Sequence, residues 1–106
     1  MSDWIHVGRP EEIPAGQYKV VELDDTQVAI VNYRGAFYAI EDICTHDGAR
    51  LTGLPLEEDQ IVCPRHGARF CVRTGKAVTA PAYQDIDCFP VEIRDDGLYI
   101  RDNRWD

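Results

Sequence analysis

Two short motifs of metal-ligating residues constrain this chain more than any other feature. They are Cys44-Thr45-His46 and Cys63-Pro64-Arg65-His66, and each is followed within two residues by a glycine. A thiolate and an imidazole this close along the chain can bind one metal centre from the same side. The two motifs are separated by the 16 residues 47–62 and together supply two sulfur and two nitrogen ligands. That set suits a tetrahedral zinc ion or a [2Fe–2S] cluster with two histidine ligands.

The order of the ligands along the chain distinguishes these two centres. Zinc motifs usually group cysteine with cysteine and histidine with histidine, whereas each motif here contains one of each. In a [2Fe–2S] cluster of mixed ligation, one iron binds both thiolates and the other binds both imidazoles. Each loop must then reach both irons, so mixed motifs favour the cluster. Zinc remains the alternative.

The motif pair resembles that of Rieske [2Fe–2S] proteins, and specifically of the ferredoxin components of bacterial aromatic-ring-hydroxylating dioxygenase systems. The similarity continues over residues 70–93, most clearly in three segments: Thr74-Gly75-Lys76-Ala77, Ala80-Pro81, which is similar to the proline loop that closes over the cluster, and Phe89-Pro90-Val91. The resemblance implies that Cys44 and Cys63 ligate the buried iron of one [2Fe–2S] cluster. It also implies that His46 and His66 ligate the outer iron, near the surface.

Two departures from the high-potential members of that family predict a low reduction potential. Rieske proteins of respiratory complexes carry an additional cysteine in each loop, joined as a disulfide, but Ala49 and Arg65 occupy those positions here. Those proteins also place hydroxyl groups two and four residues after the second histidine ligand. This chain has Ala68 and Phe70 there. Both hydrogen-bond donors to sulfur are missing, which is the low-potential pattern.

The rest of the chain is predicted to be all-β. Runs rich in β-branched and aromatic residues predict strands: Trp4–Val7, Gln17–Leu23, Val28–Tyr33, Ala36–Ile40, Ile61-Val62, Phe70–Val72, Cys88–Ile93 and Leu98–Arg101. Three of these form an antiparallel meander, with its first hairpin at Asp24-Asp25-Thr26. The sequence Asp95-Asp96-Gly97 predicts a closing hairpin. A single helical turn near Arg9–Pro14 is the most helix that the pattern supports.

A chain of 106 residues has the usual size of one domain, so we expect a single domain over residues 1–106. Strand periodicity alone predicts a small β barrel or sandwich. The resemblance implies the Rieske fold, in which an antiparallel base carries a smaller cluster-binding subdomain. We assign the base to residues 1–41 and 84–101, and the subdomain to residues 42–83.

Composition and charge argue against several classes of protein. The formal net charge is −8, which disfavours nucleic acid as a partner. The absence of a run of 18 apolar residues predicts no membrane span, and the absence of a basic segment before an apolar run predicts no secretory signal. We therefore expect a cytoplasmic protein. We expect the two cysteines outside the motifs, Cys71 and Cys88, to be small buried apolar residues, with a disulfide between them as the alternative.

The charge is unevenly distributed along the chain. Residues 44–80 contain five basic and four acidic side chains, a net charge of +1, so the remainder carries −9. One interpretation is an ordinary solvated surface. The other is a charge dipole, with a near-neutral, arginine-rich cluster end that orients docking to a partner.

A metal site filled by four protein ligands has no open position for a substrate, so we expect an electron carrier and no enzyme. We also expect a monomer. The resemblance implies two partners: a flavin-containing NAD(P)H-dependent reductase that supplies electrons and a terminal oxygenase that accepts them. Three alternatives stay open. They are a protein like the small subunit of nitrite reductase, a Rieske protein associated with iron–sulfur assembly, and a structural zinc-binding domain.

Overall fold

The computed structural model describes residues 4–23, 26–43, 50–65, 67–79 and 84–103. Within these ranges the chain forms nine strands and a single 3₁₀ turn at Pro10–Glu12. The strands are β1 (Trp4–Gly8), β2 (Tyr18–Leu23), β3 (Thr26–Tyr33), β4 (Ala36–Glu41), β5 (Gln60–Val62), β6 (Arg69–Cys71), β7 (Cys88–Phe89), β8 (Val91–Arg94) and β9 (Gly97–Arg101). The all-β prediction is confirmed.

The strands form three antiparallel sheets. One has the order β2-β3-β4-β7, the second has the order β1-β9-β8, and the third is the two-stranded hairpin β5-β6. The predicted meander is therefore present as β2-β3-β4. Asp24 and Asp25 lie outside the described residues, although the flanking Leu23 and Thr26 pair with each other. Both larger sheets are built from residues 4–41 and 88–101, and the hairpin is built from residues between them.

Strand β3 lies between β2 and β4 and contributes to two hydrophobic cores. All residues from Val28 to Asn32 are buried. Because successive side chains of a strand point to opposite faces, Val28 and Ile30 pack in the core that joins the two larger sheets. Ala29 and Val31 pack in the core beneath the β5-β6 hairpin. This explains why four consecutive residues of β3, Val28–Val31, are apolar instead of alternating with polar ones.

The core beneath the hairpin attaches the predicted cluster-binding region to the base. Its fully buried members from that region are Leu51, Ile61, Ala68, Phe70 and Val72. Each large apolar side chain buried in this way contributes about 1.5–3 kcal/mol to stability. The hairpin that bears the second motif is therefore held on the base by apolar packing, while the boundaries of the subdomain stay a prediction.

The expected strand over Cys88–Ile93 is wrong as a single element. Pro90 divides it, because proline has no backbone N–H to donate to a sheet. Before it, Cys88 and Phe89 pair with β4, and after it Val91 pairs with Ile100 of β9. The chain thus leaves one sheet and enters the other at Pro90.

The closing hairpin is confirmed, with Arg94 paired to Gly97. Gly97 has a φ angle of 144°, a conformation that residues with a side chain rarely adopt. A Cβ atom there would also collide with the carbonyl oxygen of Gly8 on β1. Glycine is therefore required where β1 and β9 approach each other.

Across the described residues, no helix is long and apolar enough to span a membrane.

Candidate metal centre

The two predicted ligand motifs are only partly within the described residues. Cys63 is described, whereas Cys44, His46 and His66 lie outside the described ranges. For that reason no group of three or more potential metal ligands is found among the described residues. The residues that flank both motifs are described, and they show which parts of the fold each motif connects.

The second motif occupies the turn of the β5-β6 hairpin. Val62 pairs with Arg69 at the last position of the ladder, and Cys63 follows directly. The backbone N–H of Cys63 donates to the carbonyl oxygen of Ala68 at 2.7 Å. The N–H of Gly67 donates to the carbonyl oxygen of Cys63 at 3.0 Å. Cys63 is a free cysteine with 1% of its surface exposed, so its thiol is buried at the end of a hydrogen-bonded hairpin.

The segment after the first motif touches the second motif. A Cβ atom at Gly53 would lie 3.3 Å from the side chain of Pro64, and the φ angle of Gly53 is 145°. The close approach of the two loops and the backbone conformation both favour glycine at position 53. The segment that follows the first motif is thereby in contact with the second motif.

Tyr18 of β2 connects this contact to the base through two hydrogen bonds. Its hydroxyl donates to the carbonyl oxygen of Leu54 at 3.0 Å and accepts from the N–H of Gly53 at 2.9 Å. Sequence reasoning missed Tyr18, because an aromatic residue in a strand has the pattern of ordinary core packing. Its partners are 35 and 36 positions away, and no local pattern reveals such a contact.

The residues before and after the first motif meet at one buried side chain, that of Asp42. Asp42 precedes the motif at the end of β4, and the carboxylate of Asp42 accepts hydrogen bonds from residues 50–52, which follow it. Hydrogen bonds thus join the described residues before and after the part of each motif that lies outside the described ranges. In the second motif they belong to a hairpin, and in the first they are made to a carboxylate.

Comparison with known proteins identifies the centre. Residues 3–90 match the model of the Rieske [2Fe-2S] domain family. The chain belongs to the Rieske family. Its cofactor is therefore a [2Fe–2S] cluster of the Rieske type, and the interpretation as an iron–sulfur centre is confirmed over zinc.

Named relatives show which branch of the Rieske family this is. The chain is 40% identical over 91 residues to the ferredoxin subunit of 3-phenylpropionate/cinnamic acid dioxygenase from Photorhabdus laumondii, covering 85% of this chain and 86% of that one. It is 37% identical over 97 residues to the ferredoxin component of the naphthalene 1,2-dioxygenase system of Pseudomonas aeruginosa, covering 92% and 93%. This Rieske protein is accordingly a ferredoxin, which carries electrons and is not itself an enzyme.

Solved structures agree on the fold. One similar chain comes from the complex of reduced oxygenase and oxidized ferredoxin in carbazole 1,9a-dioxygenase, with a TM-score of 0.88, 31% identity and 93% of each chain covered. The Sphingomonas yanoikuyae B1 ferredoxin has a TM-score of 0.85 at 27% identity, over 92% of this chain and 97% of that one. The predicted Rieske fold is confirmed.

The described part of the site fits a Rieske cluster. Iron–sulfur clusters are held by cysteine thiolates, and Cys63 is free and buried at the end of its hairpin. Arg65 and Gly67, the residues on either side of His66, are exposed. A buried cysteine and a histidine with surface neighbours agree with the division into inner and outer iron that the resemblance implies. Arg65 cannot form the disulfide of respiratory Rieske proteins.

Ala68 and Phe70, at the two positions where respiratory Rieske proteins carry hydroxyl groups, are completely buried. The carbonyl oxygen of Ala68 accepts the hydrogen bond from the backbone N–H of Cys63. Ala68 is therefore the residue that pairs directly with this predicted ligand. Phe70 packs in the core beneath the hairpin. Each has no exposed surface. Apolar side chains therefore occupy the positions where respiratory Rieske proteins place donors, and the low potential stays a prediction.

Two arginines of residues 44–80 form ion pairs with carboxylates, which the count of charges along the sequence did not reveal. Arg69 contacts Glu57 at 3.2 Å, and Arg73 contacts Asp59 at 3.0 Å. Each pair neutralises its charge locally, and exposed pairs of this kind contribute little to stability. Arg65 is exposed and lies directly beside the predicted ligand His66, so a charge change there tests the charge-dipole hypothesis close to the predicted cluster.

The two cysteines outside the motifs are free, so the disulfide alternative is wrong. Both are half-buried, less than expected from the sequence. The Sγ atom of Cys71 lies 3.8 Å from a carboxylate oxygen of Asp59. Burial, together with the negative charge of Asp87, raises the pKa of the Cys88 thiol above its ordinary value.

This raised pKa makes Cys88 slow to alkylate near neutral pH. Because the thiolate is the reactive form, a higher pKa lowers its fraction at a given pH. We expect the alkylation rate of Cys88 by iodoacetamide to keep rising at pH values where an ordinary thiol has reached its plateau. Mass spectrometry of the native holoprotein across pH measures this, with the urea-unfolded chain as control. Equal pH profiles for the native and unfolded protein would contradict the assignment.

Proposed function

We propose that this ferredoxin accepts single electrons from a flavin-containing NAD(P)H-dependent reductase and passes them to the terminal oxygenase of an aromatic-ring-hydroxylating system. The observation that carries the proposal is similarity over nearly the whole chain to ferredoxin components of dioxygenase systems. Its fold is also that of a ferredoxin chain solved in complex with an oxygenase. A carrier of this kind needs a buried cofactor and an accessible face, and in the second motif Cys63 is buried while Arg65 and the following Gly67 are exposed.

We further propose that Cys44, His46, Cys63 and His66 are the four ligands. Support comes from the donor set and from the frame that holds it. Two thiolates and two imidazoles complete the coordination of a Rieske cluster, and the burial of Cys63 supports its assignment to the inner iron. When bound, the cluster takes up and releases one electron without opening a position for substrate. The chain supplies the ligands, excludes water from the thiolate side and exposes the residues around His66.

Reconstitution of electron transfer tests the proposal. The holoprotein is mixed with NADH and the reductase of a naphthalene 1,2-dioxygenase system, and cluster reduction is followed by visible absorbance. The oxygenase of the same system is then added, and reoxidation is measured together with product formation. We expect both half-reactions to proceed. Failure of both, with efficient exchange with a nitrite reductase flavoprotein instead, would favour the alternative assignment.

Charge reversal tests the docking end of the carrier. Arg65 is exposed beside His66, whereas Arg9 lies in the base and is 63% exposed. We expect Arg65→Glu to slow electron transfer to the oxygenase several-fold and to change its salt dependence, because screening acts over about 10 Å at 0.1 M salt. Arg9→Glu is the matched control and should have little effect. Equal slowing by the two variants would refute a docking role for the charge dipole.

A further inference from the structure

We propose that Asp42 is a positioning residue for the cluster: its buried carboxylate holds together the two ends of the loop that carries Cys44 and His46. This inference rests on the ligand set proposed above, and it concerns a residue that sequence reasoning did not single out. It assigns Asp42 no contact with the cluster. Its role is exerted through the backbone of residues 50–52.

The geometry of the carboxylate supports this role. Oδ1 of Asp42 accepts from the backbone N–H of Leu51 at 2.9 Å and from that of Thr52 at 2.8 Å. Oδ2 accepts from the hydroxyl of Thr52 at 2.8 Å and from Nε of Arg50 at 3.2 Å. Four donors from three consecutive residues therefore converge on one side chain. All of them follow the first motif, and Asp42 precedes it.

Because the Asp42 carboxylate is buried, the loss of its hydrogen bonds destabilises the protein. The side chain of Asp42 has no exposed surface, and a buried charge is tolerated only where hydrogen bonds replace its hydration. No buried polar side-chain atom in the described part of the chain lacks a partner. The Arg50 side chain is 62% exposed, so solvent weakens its ion pair with Asp42. The two backbone N–H groups are the main partners, and the carboxylate therefore acts chiefly on the course of the backbone.

Asp42 is itself fixed to the base. Its backbone N–H donates to the carbonyl oxygen of Gln27 at 2.8 Å, and the N–H of the preceding Glu41 donates to that of Asp87 at 2.9 Å. The chain thus leaves the base sheet at Asp42, and residues 50–52, which follow the first motif, contact the same carboxylate. Closing the loop in advance reduces the conformational entropy lost when its ligands are ordered on a metal centre.

Residues that orient metal ligands without binding the metal typically change metal affinity by about 10–100-fold when they are replaced. We expect an effect of this size on cluster retention for Asp42→Ala, which removes all four hydrogen bonds. Asp42→Asn keeps an acceptor for the two backbone N–H groups but places an amide donor opposite Nε of Arg50. Its effect should be smaller, and that of Thr52→Val, which removes one hydroxyl, smaller again.

Asn32→Ala is the matched control for a loss of stability alone. Asn32 is also buried, and its side chain donates to the carbonyl oxygen of Ile13 at 2.7 Å and accepts from the N–H of Gly35 at 2.8 Å. Both partners belong to the base. Asn32→Ala therefore removes buried hydrogen bonds from the protein without releasing the ends of the ligand loop.

The experiment uses purified holoproteins and three measurements. These are the rate at which visible absorbance is lost to a chelator well below the thermal transition, the EPR g values after dithionite reduction, and the melting temperature. We expect Asp42→Ala to lose the cluster about 10–100-fold faster than the wild type. Asp42→Asn should lose it measurably faster and should show shifted g values. Asn32→Ala should lower the melting temperature while its rate of cluster loss and its g values stay close to those of the wild type.

Two results would overturn the role of Asp42 while the proposed function stands. One is a wild-type protein with the Rieske spectrum together with an Asp42→Asn variant that has the same g values and the same rate of loss. The other is an Asn32→Ala variant that loses its cluster as fast as an Asp42 variant of equal melting temperature. If Asp42→Ala fails to fold, Asp42→Asn and Thr52→Val provide the same comparison. Absence of the Rieske spectrum from the wild type would overturn both the function and this inference.

Discussion

Replacing His46, His66 or Cys63 by alanine abolishes the visible absorbance and the EPR signal that the wild-type holoprotein is expected to show. Each substitution leaves one iron short of a ligand, and no other side chain in the motifs can take its place. At Cys63 the change also empties a buried site at the end of the β5-β6 hairpin. Iron content, visible absorbance and EPR of the dithionite-reduced protein measure the loss. We expect almost no iron to be retained in any of the three variants.

The two cysteines outside the motifs are the controls. Cys71→Ser and Cys88→Ser change free, half-buried cysteines and should leave absorbance, EPR signal and iron content essentially unchanged. The opposite pattern, in which Cys71→Ser bleaches the protein while His46→Ala keeps its spectrum, would show that the ligand assignment is wrong.

The midpoint potential is expected near the lower end of the Rieske range, around −150 mV. A hydroxyl aimed at a cluster or ligand sulfur stabilises the more negative, reduced state, and Ala68 and Phe70 provide none. A hydrogen bond to a charged group contributes about 1.5–3 kcal/mol, and for one electron about 59 mV corresponds to a tenfold change in equilibrium. Because only the difference between the two redox states counts, each missing donor accounts for tens of millivolts. Protein-film voltammetry measures the potential, and a wild-type value above about +100 mV, in the upper half of the Rieske range, would refute the low-potential assignment.

Ala68→Ser is the sharper substitution for this test. Ala68 is paired through its backbone with Cys63, so a hydroxyl added there is introduced beside a predicted ligand. Phe70 is enclosed by the core, and a tyrosine at that position would have to bury its hydroxyl among apolar side chains. Ala39→Ser, which adds the same group to a buried position of the base, is the matched control. We expect Ala68→Ser to raise the potential by tens of millivolts and Ala39→Ser to leave it unchanged. Equal potentials in all three proteins would contradict a role for position 68.

Features carried by residues near one another in the chain were predictable. The mixed motifs at Cys44-Thr45-His46 and Cys63-Pro64-Arg65-His66 indicated an iron–sulfur centre, because both kinds of ligand must come from each loop. The meander β2-β3-β4 and the closing hairpin also followed from local patterns, since strand propensity and turn residues act over a few positions. The strand over Cys88–Ile93 was predicted too long, because its apolar pattern continues through Pro90 although its hydrogen-bond partners change there.

The tertiary structure alone decided how the predicted loops are held. Asp42 was an ordinary acidic residue in the sequence, and Tyr18 an ordinary strand aromatic. Each acquires a role only because folding brings distant backbone groups to it, residues 50–52 in one case and Gly53-Leu54 in the other. The partners of Arg69 and Arg73 were hidden for the same reason. The sequence by itself indicated the cofactor and most of the strands, because these depend on residue identity and spacing. Which carboxylate closes a loop depends on contacts between segments far apart in the chain, and only the packed sheets bring those segments together.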